Sequence, residues 1–346
     1  MEYRTLGRTG VKVSTHCLGT MMFGPWGNTD EAECIRMIHT AIDAGINFVD
    51  TADVYGEGRS EEIVGKALQD RRDEVVLATK VHSPMGKGLN DQGNSRYWIM
   101  KEVENSLRRL QTEHIDLYQM HRPDPDTDIE ETLGALSDLV HQGKVRYVGC
   151  STFPGWEIVQ AHAVSERRGL ERFVSEQPPY SIFVRHIEWD VLPVAERYGM
   201  GVIVWSPLAG GWLAGRYRKG EGAPSDSRLV RYKERGSPVA KRYDPSVPEN
   251  ERKLDIVEDL VLLAEKAGTT ITHLAIAFTL AHPAVTSSII GPRTPEQLTD
   301  LLAGADVRLD RDTLDAIDEL VPPGSVVFDF DRGYSPPWMA PDARRR

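Results

Sequence analysis

Each of three short apolar runs in the first half of the chain ends in an ionisable residue. These residues are Asp50, Lys80 and His121, and Tyr55 follows Asp50 by five positions. If the runs are neighbouring parallel strands, a carboxylate, an ammonium, an imidazole and a phenol meet at one edge of a sheet. A cluster of this composition can transfer a proton to a carbonyl oxygen.

Reduction of an aldehyde or ketone requires a hydride at carbon and a proton at oxygen. Tyr55 is the candidate proton donor, and a free phenol has a pKa of about 10. The Lys80 ammonium would lower that pKa by stabilising the phenolate, and Asp50 would hold Lys80 in place and protonated. His121 would orient the carbonyl oxygen or share the proton movement. Taken singly, each residue also has an ordinary structural explanation, such as a turn cap, a loop aromatic or a solvated strand-end charge.

The elements that position these residues are eight apolar runs, which alternate with longer amphipathic stretches. The runs are continuously apolar, as expected for strands that are covered on both faces. They lie near residues 16–20, 46–50, 75–80, 115–121, 145–151, 172–177, 201–206 and 285–291. Eight strand–helix repeats predict a closed parallel (β/α)8 barrel of class α/β. That fold needs about 250 residues, so the 346-residue chain has room for insertions.

Helix start and stop signals lie between the runs. Asp30, Asp128 and Thr294 occupy N-cap positions, each followed three residues later by an acidic residue or glutamine. Pro295 fits the first helical position after Thr294. Glycines stand where helices are expected to end, at Gly45, Gly143, Gly169, Gly199 and Gly268.

An open, doubly wound sheet is the alternative architecture. Its nucleotide-binding form requires a glycine fingerprint. The nearest match begins at Gly56 and has Glu61 in place of the third glycine. The Walker pattern is also missing from the sequence, so the barrel is favoured.

We expect residues 1–346 to form a single barrel domain with long loops at its C-terminal face. Residues 1–14 predict a small N-terminal hairpin. Residues 216–250, which are rich in Gly, Pro, Ser, Lys and Arg, predict a long loop after the seventh strand and a candidate lid. The tail 322–346 has no clear periodicity and is expected to drape over the barrel mouth.

Composition argues against several classes of protein. The chain has 41 basic and 52 acidic residues, and its formal charge of −11 disfavours nonspecific binding to nucleic acid or anionic membranes. The three cysteines are too widely spaced for a disulfide framework or a zinc site, and they predict reduced thiols. Neither a signal-peptide pattern nor a run of about 20 apolar residues is present. We therefore expect a cytoplasmic protein without a metal, a nucleic-acid partner or a membrane partner.

Two stretches of the chain resemble the signature sequences of the aldo-keto reductases. They are residues 47–56 (NFVDTADVYG) and 115–124 (IDLYQMHRPD), within a similarity that covers nearly the whole chain. The resemblance implies a (β/α)8 barrel and NADPH-dependent carbonyl reduction. It also implies a catalytic tetrad of Tyr55 with Asp50, Lys80 and His121, in which Tyr55 and His121 face the substrate.

The same resemblance implies contacts to NADPH or NADP+ along the chain. Contacts to the nicotinamide are expected from Gly19, Thr20, Met21, Asp50, Ser151, Thr152, Gln177 and Trp205. A pyrophosphate loop is expected to use Ser206, Pro207, Leu208, Gly210, Gly215 and Arg216. The 2′-phosphate and the adenine are assigned to Gly291, Arg293 and Gln297. The chain departs from the family pattern at Thr152 and Leu301, where asparagine is usual.

The sequence leaves two main functions open. The first is a reductase that takes a small carbonyl substrate. The second is a redox-sensing regulatory subunit that binds NADP and turns over little, since some members of the family are accessory subunits of membrane channels. A barrel hydrolase or isomerase is a weaker third hypothesis. The substrate is set by loops that the sequence does not place in space, and a homo-oligomer remains open.

Overall fold

A computed structural model describes residues 1–340, 342 and 343. Pro341 and the last three arginines of the predicted tail therefore lie outside the described residues. Contacts group the described chain into two compact units. The first unit holds residues 1–177, 190–205 and 283–306, and the second holds residues 178–189, 206–282 and the described residues from 307 onward. A single domain over the whole chain stays a prediction.

An N-terminal hairpin precedes the barrel in the first unit. Strands β1 (Tyr3–Thr5) and β2 (Lys12–Ser14) pair antiparallel, as the sequence predicts for residues 1–14. Leu6 and Val13 of this hairpin are fully buried, in one apolar cluster with Phe48 and Leu117 of the barrel strands. The hairpin therefore contributes directly to the core.

Eight parallel strands form a closed barrel, which confirms the predicted (β/α)8 fold. The strands are β3 (His16–Gly19), β4 (Phe48–Asp50), β5 (Val76–Val81), β6 (Ile115–Met120), β7 (Val145–Ser151), β8 (Ser175–Gln177), β9 (Gly201–Val204) and β10 (Val285–Ile290). They follow one another around the barrel in chain order, and β10 closes it by pairing with both β9 and β3. Each strand lies within one of the eight apolar runs of the sequence, except for one extra residue, Val81, in β5.

Eleven α-helices are present in the described part of the chain. They are α1 (Glu31–Asp43), α2 (Arg59–Leu68), α3 (Arg96–Leu110), α4 (Ile129–His141), α5 (Gly155–Arg168), α6 (Val191–Tyr198), α7 (Arg228–Glu234), α8 (Pro248–Lys266), α9 (Ile271–Ala281), α10 (Pro295–Ala303) and α11 (Arg311–Leu320). Helices α7, α8, α9 and α11 belong to the second unit, and the other seven belong to the first.

The predicted N-caps are confirmed by their hydrogen bonds. The side chain of Asp30 accepts from the backbone N–H of Glu33, and Thr294 accepts from that of Gln297. The side chain of Asp128 caps α4 by accepting from the backbone N–H of Glu130. These bonds satisfy N–H groups that have no partner inside the helix, so the helices begin where the sequence predicts.

The long loop predicted for residues 216–250 is wrong in part. Helix α7 and a 3₁₀ helix, Pro238–Tyr243, lie inside this segment, and α8 begins at Pro248. Ser227 caps α7, and the rings of Tyr232 and Tyr243 stack with centroids 5.8 Å apart. Packing of this kind, rather than helix propensity, stabilises a seven-residue helix. The lid role of the segment stays a prediction.

Two further observations bear on the composition argument. All three cysteines are free and buried, which agrees with the predicted thiols. Within the described residues, no single helix combines the length and apolar character needed to cross a membrane. Segments 238–266 and 271–281 meet that criterion only as a pair, bent by 88°.

Candidate active site

Three neighbouring barrel strands bring the four sequence-predicted residues together. Asp50 is the last residue of β4, Lys80 lies one residue before the end of β5, and His121 directly follows β6. Tyr55 lies in the turn between β4 and α2. Because parallel strands of a barrel end on the same side, their terminal side chains converge.

The ammonium of Lys80 is the centre of the cluster. Its Nζ lies 2.5 Å from Oδ1 of Asp50 and donates to the backbone oxygen of Thr51 at 2.7 Å. The same atom lies 3.4 Å from the hydroxyl of Tyr55. The ring of His121 meets the ring of Tyr55 edge-on, with centroids 5.8 Å apart. The side chain of Lys80 is fully buried, so its charge acts with little screening by water.

A second pair of hydrogen bonds fixes the carboxylate of Asp50. Its Oδ2 accepts from the side-chain amides of Gln177, at 2.8 Å, and Gln119, at 3.2 Å. Sequence reasoning did not assign Gln119 to the site. The signal was available, because Gln119 stands two residues before His121 and side chains two apart share one face of a strand.

Burial and charge compete over the protonation of the cluster. Burial raises the pKa of Tyr55, and the Lys80 ammonium opposes that rise without cancelling it. The expected direction of the lysine effect is therefore right, whereas a net lowering of the Tyr55 pKa is wrong. Burial lowers the pKa of Lys80, but Asp50 and Tyr55 outweigh burial and leave it above its ordinary value.

His121 is held neutral by its surroundings. Burial, together with the positive charges of Arg122 and Lys80, brings the pKa of His121 well below its ordinary value. Its Nδ1 is buried and has no hydrogen-bond partner among the described residues. A neutral imidazole in this position can orient a carbonyl oxygen, and it adds no second positive charge beside Lys80.

Residues predicted to contact the nicotinamide lie at the ends of β7, β8 and β9. The hydroxyl of Ser151 donates to the backbone oxygen of Gln177 at 2.8 Å. Arg122 donates to the hydroxyl of Thr152 at 3.1 Å, and its guanidinium carbon lies 5.8 Å from the centroid of the Trp205 ring. Arg122 therefore belongs to this part of the site, a position that the sequence alone did not establish.

The first strand of the barrel, β3, contributes to the site mainly through its backbone. A Cβ on Gly19 would come within 2.5 Å of Ile289, so glycine is needed for β3 to approach β10. The backbone N–H of Thr20 donates to the oxygen of Asp50 at 3.0 Å, and its hydroxyl pairs with Ser60 at 2.8 Å. Met21 is half-buried. Thr20 thus supports the strand that carries Asp50.

The start of α10 is closed by two hydrogen bonds that involve side chains. The backbone N–H of Arg293 donates to Oε1 of Gln297 at 2.8 Å, while Thr294 caps the helix. The side-chain oxygen of Gln297 is used in this hydrogen bond. The amide nitrogen of Gln297 is therefore the group suited to contact the adenine that the sequence assigns to this residue. Gly291 is exposed, and a side chain there would meet no neighbour within 4 Å.

The predicted pyrophosphate loop lies in the second unit. It contains a 3₁₀ segment, Ala209–Ala214, and left-handed backbone at several positions. Positive φ values occur at Ser206, Ala209, Gly210, Gly211 and Gly215. Pro207 and Leu208 lie between the first two of these residues. The Arg216 side chain forms an ion pair with Asp226, so part of its charge is already compensated.

Comparison with known proteins agrees with the barrel fold. The family model described as "Aldo/keto reductase family" matches residues 17–322. The chain therefore belongs to the aldo/keto reductase family. It is an NAD(P)H-dependent oxidoreductase of the kind that acts on carbonyl and alcohol groups.

Three relatives illustrate the range of the family. An uncharacterised oxidoreductase of Bacillus subtilis, YrpG, is 42% identical over 93% of this chain and 96% of its own length. A probable voltage-gated potassium channel subunit beta of Oryza sativa subsp. japonica is 38% identical over 89% of this chain and 92% of its own. The aldo-keto reductase YhdN of Bacillus subtilis is 37% identical over 87% and 88%.

Proposed function

We propose that this protein uses NADPH to reduce an aldehyde or ketone to an alcohol. The observation that carries the proposal is the position of the Lys80 ammonium, 3.4 Å from the Tyr55 hydroxyl and 2.5 Å from the Asp50 carboxylate. Protonation of a carbonyl oxygen requires an acid, here Tyr55. Lys80 is the cation that stabilises the conjugate base of this acid, and Asp50 is the counterion of Lys80.

The described residues fit a nicotinamide cofactor, which would supply the hydride when bound. Trp205 offers an aromatic face beside Arg122, and its Nε1 is buried without a hydrogen-bond partner in the described part of the chain. Ser151 and Gln177 provide a hydroxyl and an amide to hold a carboxamide. Arg293, next to the capped N-terminus of α10, provides the charge and N–H groups that suit a 2′-phosphate and favours NADPH over NADH.

The side chains have distinct tasks in the proposed reaction. The Tyr55 hydroxyl donates a hydrogen bond to the carbonyl oxygen and transfers its proton as negative charge develops there. Lys80 stabilises the resulting phenolate, and Asp50 keeps Lys80 charged. Neutral His121 donates a second hydrogen bond that orients the same oxygen. General acid catalysis of this type contributes about 10²–10⁴-fold.

An absorbance assay with a panel of carbonyl compounds tests the proposal. NADPH would be supplied with representative aldehydes, ketones, quinones and sugars, and its oxidation followed at steady state. We expect sustained turnover with at least one compound class, and slower turnover with NADH. Binding of NADPH without turnover on any class would contradict a reductase. The cytoplasmic location and the absence of nucleic-acid, membrane and metal partners stay predictions.

A second function is favoured by one specific observation. The relative at 38% identity over 89% of the chain bears the name of a probable channel subunit beta. A regulatory subunit of this kind would hold NADP through the same residues and turn over little. Retention of NADP+ through gel filtration, together with negligible carbonyl reduction, would support this function over the first.

A further inference from the structure

The predicted pyrophosphate loop of the second unit is anchored by one tryptophan. Trp212 is fully buried, stacks on Tyr217 with centroids 4.5 Å apart, and donates from Nε1 to the backbone oxygen of Arg242 at 3.0 Å. A Cβ on Gly210 would come within 2.2 Å of the Tyr243 ring. Left-handed backbone persists only where its surroundings hold it, so these contacts fix the shape of the loop.

A buried lysine lies against that tryptophan. Lys253 of α8 is 1% exposed, and its Nζ lies 5.3 Å from the centroid of the Trp212 ring. The same ammonium lies 4.9 Å from the Phe328 ring and 2.6 Å from Oδ2 of Asp331. It also donates to the oxygen of Arg242 at 3.3 Å. A lysine buried this deeply needs such partners, because desolvation disfavours its charge.

The C-terminal segment 328–331 is held by two cationic side chains, Lys253 and Arg242. Asp331 accepts from Lys253 and lies 3.4 Å from Nε of Arg242. Arg242 also donates to the backbone oxygen of Phe330, and its guanidinium carbon lies 5.1 Å from that ring. The segment and the loop therefore share Lys253 and Arg242 as their common supports, and displacing one removes contacts from the other.

We propose that Lys253 is a positioning residue that couples segment 328–331 to the pyrophosphate loop and thereby sets how fast the nicotinamide cofactor leaves. The inference rests on the proposed function, since it requires that residues 206–216 bind the cofactor. Lys253 acts through Trp212 and contacts no reacting atom. Loop opening often limits the release of a bound product, and weakening the anchor of a loop is expected to act mainly on the dissociation rate.

Cofactor release from the full chain tests this role. The complex with NADPH would be mixed with excess NADP+ in a stopped-flow instrument, and the loss of bound NADPH fluorescence recorded. We expect Lys253→Met and Asp331→Asn each to speed release about tenfold, because affinity changes of this kind fall mostly on dissociation. Lys144→Met is the matched control and should release NADPH at the wild-type rate, since it removes a partly exposed lysine–glutamate pair, with Glu104, that lies outside residues 206–250.

The outcomes separate the role of Lys253 from the proposed function. Circular dichroism melting would identify variants that fold. Release at the wild-type rate in a folded Lys253→Met or Asp331→Asn variant overturns the coupling. If neither variant folds, Phe328→Leu replaces them, because it keeps apolar bulk but removes the aromatic face. Release of NADPH from this variant at the wild-type rate would also overturn the coupling. A wild-type protein that does not bind NADPH overturns the proposed function, and the inference with it.

Discussion

Tyr55 shows how a single residue is governed by two opposing effects. Its distance of 3.4 Å from Lys80 favours the phenolate, but burial disfavours it more, and the pKa of Tyr55 rises. The sequence identified the phenol and the ammonium as partners. It could not rank burial against charge, because burial depends on every element packed around the site.

The pH dependence of carbonyl reduction follows from these shifts. The proton donor must be protonated, and a raised pKa keeps Tyr55 protonated to higher pH, so kcat/KM should fall only above the ordinary phenol pKa of about 10. Because the pKa of His121 is lowered, no acidic loss is expected near pH 6.5. Steady-state assays from about pH 6 to 10.5 would check both limbs. A midpoint near pH 7 to 8 would contradict the assignment of Tyr55.

Thr152 is a residue whose backbone conflicts with its side chain. It adopts φ = 61°, in the left-handed region that β-branched residues disfavour and asparagine tolerates. This geometry gives a physical reason for the asparagine that is usual at this position in the family. Thr152→Asn should therefore stabilise the protein by about 1 kcal/mol, within the cost of such strain. Thr152→Val, which keeps the strain and loses the hydroxyl, should stabilise nothing; urea denaturation compares the two.

At the scale of elements, local signals predicted strands and caps well. Continuous apolar runs identified every barrel strand, and Asp30, Asp128 and Thr294 marked helix starts correctly. The error at residues 216–250 has a physical cause. Helix α7 is only seven residues long, and its neighbours in sequence are typical of loops, so its stability depends on packing that a local pattern does not reveal.

The N-terminus of α10 predicts cofactor preference. Arg293→Ala should weaken NADPH binding about 10- to 100-fold and change NADH binding little, because a charge-assisted hydrogen bond contributes about 1.5–3 kcal/mol. Arg293→Lys keeps the charge, and its affinity for NADPH should lie between those of the wild type and Arg293→Ala. Fluorescence titrations with both cofactors measure the effect. Equal losses for NADPH and NADH would show that Arg293 does not recognise the 2′-phosphate.

At the scale of the whole molecule, the barrel fold could be predicted because the same pattern, an apolar run followed by an amphipathic stretch, recurs along the chain. Hydrogen bonds between residues far apart in the chain could not be predicted. Gln177, for example, lies 127 residues from the Asp50 that it contacts. The coupling of Lys253 to Asp331 was hidden for the same reason. Buried charges follow from the packing of distant segments rather than from spacing.

The N-terminal hairpin gives a prediction for global stability. Leu6 is fully buried in the core cluster of the first unit, so Leu6→Ala should lower the free energy of unfolding by about 2–5 kcal/mol. The exposed Lys12 on the same hairpin is the control, and Lys12→Ala should change stability by at most about 0.5 kcal/mol. Chemical denaturation measures both variants. A small loss for Leu6→Ala would show that the hairpin is peripheral.

The most direct test of the account is turnover in the Tyr55→Phe variant. Removing one hydroxyl leaves the ring, its contact with His121 and the predicted cofactor contacts in place. We expect the rate of carbonyl reduction to fall by at least about 10²-fold, the lower range for a lost general acid, while the dissociation constant for NADPH stays within about twofold of the wild-type value. Wild-type turnover in that variant would show that Tyr55 is not the proton donor.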